Sequence, residues 1–115
     1  MKFSKSFFVA AALCGIANAF NGDVTFYYPR VATGACGWYN NDNELVAALS
    51  IDQYGSGGNC GRAIRVDYQG KSVTVAAVDK CAGCQPNDID LSPAAFDQLA
   101  SRDAGRIAVN WYYVN

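Results

Sequence analysis

The sequence predicts a small, mainly β domain, a barrel with one or two short helices. Three observations point there. Most ordered segments are short and rich in β-branched and aromatic residues, the texture of strands. Two of them are joined by Gln69-Gly70, a two-residue hairpin turn. Only one segment, late in the chain, carries full helix signals.

Val24-Thr25-Phe26-Tyr27-Tyr28 reads as the first strand, and Pro29 should end it or hold it at an edge. Residues 33–37 and 40–43, dense in Gly and Asn, read as loops. Residues 44–50 (ELVAALS) fit either a helical turn or a buried segment, because seven residues are too few for periodicity to decide. Residues 53–61 carry four glycines and read as a surface loop. Residues 63–68 and 72–79 read as the strands of the hairpin. The almost continuous apolar run 73–78 predicts burial on both faces. Ser92 can cap a helix, Pro93 suits its first position, and residues 94–100 have good helix propensity. Gly105 marks the exit. In residues 106–114, Ile107, Val109, Trp111 and Tyr113 alternate with Arg106, Ala108, Asn110 and Tyr112, a last strand of period two.

The chain has 115 residues, five cysteines and no histidine. Its length allows one domain. The missing histidine excludes Ser-His-Asp and Cys-His catalysis and every His-ligated metal site. A formal charge of −1 without basic clusters argues against a nucleic-acid binder. The first residues, MKFSKSFFVAAALCGIANAF, combine Lys2 and Lys5, an apolar run from Phe7 to Ile16 and small residues at Ala17 and Ala19. This is the pattern of a secretory signal over 1–19, with an apolar run too short to span a bilayer. The domain expected to remain is 20–115. It loses Cys14 and keeps Cys36, Cys60, Cys81 and Cys84, an even set that reads as two disulfides in a secreted product. Without Lys2 and Lys5 it carries seven basic against ten acidic residues, a formal charge of −3.

Two carboxylates could carry chemistry. Asp79 ends a hydrophobic strand, and Asp90 lies just before the helix cap. Paired carboxylates are the machinery of glycoside hydrolysis. Each also has a plain structural reading: Asp79 held by Lys80 or by backbone N–H groups, Asp90 accepting from the helix start or the cysteine loop. Cys81-Ala82-Gly83-Cys84 would suggest redox chemistry or zinc in a cytosolic protein, and with Cys36 and Cys60 it makes a four-thiolate set. Secretion favours disulfides instead. Trp38-Tyr39 sits in a polar loop and suits stacking on a sugar face as well as covering a disulfide, whereas Trp111 reads as core.

Taken in order, Thr33-Gly34-Ala35-Cys36-Gly37, Cys60-Gly61-Arg62-Ala63-Ile64-Arg65-Val66, Val78-Asp79-Lys80-Cys81-Ala82-Gly83-Cys84, Asp90-Leu91-Ser92-Pro93-Ala94-Ala95-Phe96 and Gly105-Arg106-Ile107-Ala108-Val109-Asn110-Trp111 resemble the rare-lipoprotein-A-like double-psi β-barrels. Within this barwin-related group they resemble the small fungal expansin-like loosenins. The resemblance covers the whole of 20–115. It implies a six-stranded double-psi β-barrel with an open polysaccharide groove. Thr25 matches the first-strand position of the expansin pattern, Asp90 its functional aspartate and Asp79 its Val-x-Asp position. Related glycosidases place a base carboxylate near the first strand. Residues 25–28 hold none here, and Asp23 precedes the strand. The chain also lacks the His-Phe-Asp motif of plant expansins and, within these 115 residues, their second, carbohydrate-binding domain.

The resulting expectation is a secreted, monomeric protein without metal or cofactor. It would bind cell-wall polysaccharide (cellulose, chitin or a related β-glycan) and loosen it without hydrolysis. Asp79 and Asp90 would act as groove carboxylates, with Thr25, Tyr27, Trp38 and Tyr39 lining or flanking the groove. No nucleic acid or membrane partner is expected. The alternatives are a weak glycanase or lytic transglycosylase with Asp79 as acid, and a protease inhibitor or effector-type protein-binding module. Four cysteines allow three pairings; the two favoured join Cys36 and Cys60 each to one of Cys81 and Cys84, which would tie the loops to the barrel.

Overall fold

A computed structural model describes residues 19–114. The expected leader lies outside the described residues, except for Ala19. Six strands are present: β1 (Ala19–Phe26), β2 (Val46–Ser50), β3 (Ala63–Tyr68), β4 (Lys71–Cys81), β5 (Ile89–Leu91) and β6 (Ile107–Tyr113). They close into a barrel in the order β1-β5-β2-β4-β3-β6. The pairs β1/β5 and β2/β4 are parallel and the other four antiparallel. Two short helices, α1 (Ile51–Tyr54) and α2 (Pro93–Asp97), complete the fold. This is the closed mixed barrel that the resemblance implies.

Alternation of side chains fills the interior. Val24, Leu49, Ile64, Val66, Val75, Ala77, Ile89, Leu91, Ile107, Val109 and Trp111 form one cluster, closed by Phe96 and Leu99. Trp111 is fully buried and its indole N–H donates to the Asn87 carbonyl at 2.8 Å, as a buried indole requires. The β3–β4 turn holds both central residues at positive φ, Gln69 at 47° and Gly70 at 81°, which matches the twist of a two-residue hairpin. In α2, Pro93 opens the helix and Ser92 caps it by accepting from the Ala95 N–H at 3.3 Å.

Several expectations need correction. β1 starts at Ala19, because its first half pairs with β6 from Ala19↔Tyr112 to Val24↔Ile107. The ambiguous residues 44–50 contain β2, every residue of which is buried. The glycine-rich surface loop begins with α1, capped by Ser50. β4 is not buried on both faces throughout: Thr74 is exposed between Val73 and Val75 because β3 and β4 face solvent there. The three-residue β5 was not foreseen, and α2 ends at Asp97, short of Ala100.

The disulfides also differ from both favoured pairings. They are Cys36–Cys60 and Cys81–Cys84. The backbone explains both. The Cys36 N–H donates to the Val78 carbonyl at 3.2 Å and the Gly61 N–H to the Ala77 carbonyl at 2.7 Å, so the two loops meet on one stretch of β4. The Cys84 N–H returns to the Cys81 carbonyl at 3.2 Å and closes a tight turn that brings the second pair together.

Candidate functional site

Register places the site. Thr25 pairs with Asp90 across β1/β5, Asp90 with Ala48 across β5/β2, and Ala48 with Asp79 across β2/β4. The four residues form one row over four adjacent strands. The next row, Phe26–Leu91–Ala47–Ala77, supplies the core, so the Thr25–Asp90–Ala48–Asp79 row lies on the outer face. Two details of the sequence make this row possible. Ala48 is small and lies flat between the two carboxylates. Val78 is an extra residue in β4: the register steps from Ala47↔Ala77 to Ala48↔Asp79. Such a bulge re-aims the side chain after it, and here it brings Asp79 level with Asp90.

Asp90 is half-buried, and one of its oxygens accepts the Thr25 hydroxyl at 2.6 Å. Burial raises its pKa above the ordinary carboxylate range, while the Thr25 hydrogen bond and the Arg106 charge oppose the rise. Its other oxygen lies 3.9 Å from Cys81 Sγ. Tyr27 follows Thr25 on the same face of the chain. Its hydroxyl is buried and is the sole buried side-chain polar atom without a hydrogen-bond partner among the described residues. Burial, then the charges of Asp79 and Asp90, push that phenol upward, so it stays a neutral donor.

Asp79 has a different task. One oxygen accepts the Ala35 N–H at 2.7 Å and the Lys80 N–H at 2.8 Å, tying down the 34–36 loop. Gly34 packs so closely on β4 that a Cβ there would lie 2.7 Å from the Val78 carbonyl oxygen. With strands about 4.8 Å apart, Asp79 and Asp90 stand about 10 Å apart at the backbone. Asp23 is paired with Arg106 at 3.2 Å.

Trp38 and Tyr39 are 49% and 57% exposed, so their rings are free to meet a ligand. Trp38 covers Gly61 beside the Cys36–Cys60 bridge. Its carbonyl accepts the Gly34 N–H at 3.0 Å, which links it to the loop that Asp79 ties down. Sequence reasoning missed Tyr54 and gave Lys80 only as a partner for Asp79. The Tyr54 hydroxyl donates to the Ala35 carbonyl at 3.1 Å, and the Lys80 ammonium sits 5.1 Å from the centre of its ring, on the β4 side of the row. Only the placement of α1 beside β4 reveals them.

The row is open. A hollow of about 410 Å3 lies elsewhere, between β1, β3 and β6, and holds none of the predicted residues. A smaller one of about 320 Å3 opens beyond β1, beside Tyr28, Asp42 and Pro93.

A six-stranded barrel carrying this row defines a class, and comparison with known proteins agrees. Residues 14–111 match the model of the lytic transglycolase family, the rare-lipoprotein-A-like double-psi β-barrels, and the chain belongs to that family. It is 38% identical to an EG45-like domain containing protein of Citrus jambhiri, over 87% of this chain and 88% of that one. Expansin-like protein 3 of Dictyostelium discoideum is 34% identical over 88% of this chain, which spans only 34% of that longer protein. Among solved structures, a Streptomyces papain inhibitor superposes with a TM-score of 0.80 at 30% identity, covering 87% of this chain and 97% of the inhibitor. A mutant Clavibacter michiganensis expansin in complex with cellohexaose superposes at 0.76 and 27% identity, covering 84% of this chain and 50% of the expansin. The fold is therefore expansin-like. Among the described residues, no helix is long and apolar enough to cross a membrane.

Proposed function

We propose that this is a secreted expansin-like protein that lays an extended β-linked polysaccharide, cellulose or chitin, across the outer face of β1, β5, β2 and β4 and loosens it without cleaving bonds. The observation that carries the reading is the partly exposed Thr25–Asp90 pair, while the nearby acids Asp79 and Asp23 are already engaged. Asp90 accepts hydrogen bonds from sugar hydroxyls, and Trp38 and Tyr39 offer aromatic faces. Such contacts compete with those between glycan chains. The cellohexaose complex of the related expansin supports this class of ligand. Inverting hydrolysis needs a second carboxylate free to activate water. Asp79 is engaged by two backbone N–H groups and Asp23 by Arg106, which favours binding over cleavage.

The test is a panel of cellulose, chitin and soluble β-glucan, with loosening, binding and reducing ends measured together. Asp90→Ala is expected to keep the fold and lose at least tenfold in binding, with no new chain ends from either protein. New ends that vanish in Asp79→Asn or Asp90→Ala would make the protein a glycanase. The papain inhibitor neighbour favours a second reading, a protease-binding module presenting the exposed Trp38-Tyr39 loop. Nanomolar inhibition of papain, lost in Trp38→Ala and without glycan binding, would select it.

A further inference from the structure

The Cys81–Cys84 pair has a third neighbour. The two sulfurs and a carboxylate oxygen of Asp90 all lie within 4.8 Å of one another, and all three residues are half-buried. Among the described residues they are the one group of three or more acidic or thiol side chains so arranged. We propose that opening this disulfide converts the trio into a zinc-type site, Cys81 Sγ, Cys84 Sγ and Asp90 Oδ2, with solvent as the fourth ligand.

The chemistry balances through thiol–disulfide exchange. Two thiols of an external reductant supply two electrons, the S–S bond breaks, and the reductant leaves as its own disulfide. Metal binding then releases the two thiol protons. Exposed Ala82 and Gly83 border the bridge and leave it open to attack.

The backbone holds the thiols in place without the bridge. Cys81 is the last residue of β4, paired with Ser50 of β2, and the Cys84 N–H bonds the Cys81 carbonyl. C-x-x-C is ligand spacing for zinc. Tetrahedral bonds of about 2.3 Å to sulfur and about 2.0 Å to oxygen put those two ligand atoms about 3.5 Å apart; Cys81 Sγ and Asp90 Oδ2 stand at 3.9 Å. The other Asp90 oxygen keeps the Thr25 hydroxyl, the kind of outer contact that orients a ligating carboxylate. Two thiolates and one carboxylate suit zinc over calcium or magnesium. A bound ion would withdraw Asp90 from the groove, so reduction plus metal becomes an off-switch; this consequence, unlike the site, rests on the glycan reading.

Cobalt(II) is the probe, since sulfur-to-cobalt charge-transfer absorption reports thiolate ligands directly. The reduced protein, its fold followed by circular dichroism, is expected to bind one cobalt ion with two-sulfur bands, and the oxidised protein none. Cys81→Ser/Cys84→Ser should abolish the bands after reduction, and Asp90→Asn should weaken binding at least tenfold. Cys84→His offers a sulfur, an imidazole and Asp90 while Cys36–Cys60 stays oxidised. It should bind cobalt without reductant even if the fully reduced chain loses its fold. No bands in either protein, bands that survive Cys81→Ser/Cys84→Ser, or an affinity indifferent to Asp90→Asn would overturn the proposal. Glycan binding that persists with cobalt bound would remove the switch and leave the site.

Discussion

Asp90 is a residue that the fold accommodates at a cost. Burial raises its pKa against the pull of Thr25 and Arg106, so the folded chain binds this proton more tightly than the unfolded chain. Below the unfolded carboxylate pKa of about 3.9 the group has no effect on stability. Stability falls as pH rises from there through the folded pKa, and stays lower by a constant amount above it. Asp90→Asn keeps an oxygen for the Thr25 hydroxyl and removes the charge. Its melting temperature is expected to equal or exceed that of the parent at pH 7, with no gain at pH 3, while glycan binding is lost. A variant markedly less stable at pH 7 would mark Asp90 as a structural ion and remove it from the site. Asp79→Ala should instead destabilise the fold, because its carboxylate accepts the Ala35 and Lys80 N–H groups. Gly34→Ala tests the same loop: the new Cβ would press on the Val78 carbonyl and is expected to cost about 1–3 kcal/mol in denaturant unfolding. Both carboxylates were legible in the sequence as types and by resemblance. Backbone N–H groups were among the partners read for Asp79, and they hold it; the partner of Asp90 was not legible, because Thr25 and Asp90 are 65 residues apart and only the β1/β5 register joins them.

At the level of elements, legibility followed length and local signals. The β3–β4 hairpin and β6 were readable because alternation over six or more residues, together with a φ-positive turn, is a local property. β5 was not, since three residues carry no period; it exists through neighbours on both sides, β1 and β2. The step at Val78 was equally invisible, because an extra residue shows only against a partner strand. α2 was signalled by Ser-Pro, and with five residues it depends heavily on its cap. Ser92 is fully buried and its hydroxyl works in both directions: it donates to the Glu44 carbonyl at 2.6 Å and accepts from the Ala95 N–H. Ser92→Ala therefore loses a cap and leaves the partly buried Glu44 carbonyl short of a partner. Destabilisation of about 2 kcal/mol is expected in urea. A change below about 0.5 kcal/mol would mean that packing of Phe96 and Leu99 alone holds this segment.

For the whole molecule the question is what keeps a thin barrel closed. Its core is a single cluster, and net stabilities of such domains run to only about 5–15 kcal/mol. The two disulfides do not share the task equally. Cys36–Cys60 bridges 24 residues and Cys81–Cys84 only three. Loop-closure entropy then assigns about 3.5 kcal/mol to the first and about 2 kcal/mol to the second. Their count was readable from the even cysteine set, but their pairing depended on β4 hydrogen bonds that no spacing rule contains. Cys36→Ala/Cys60→Ala is thus expected to lower the unfolding free energy by clearly more than Cys81→Ala/Cys84→Ala. The second variant should retain the barrel and its Asp90–Thr25 pair, because Cys81 is also held by its place in the β2/β4 ladder. Equal losses, or a larger loss for the second variant, would show that the short bridge supports the end of β4. The larger local role would then have to come from strain or packing at the groove and not from chain entropy.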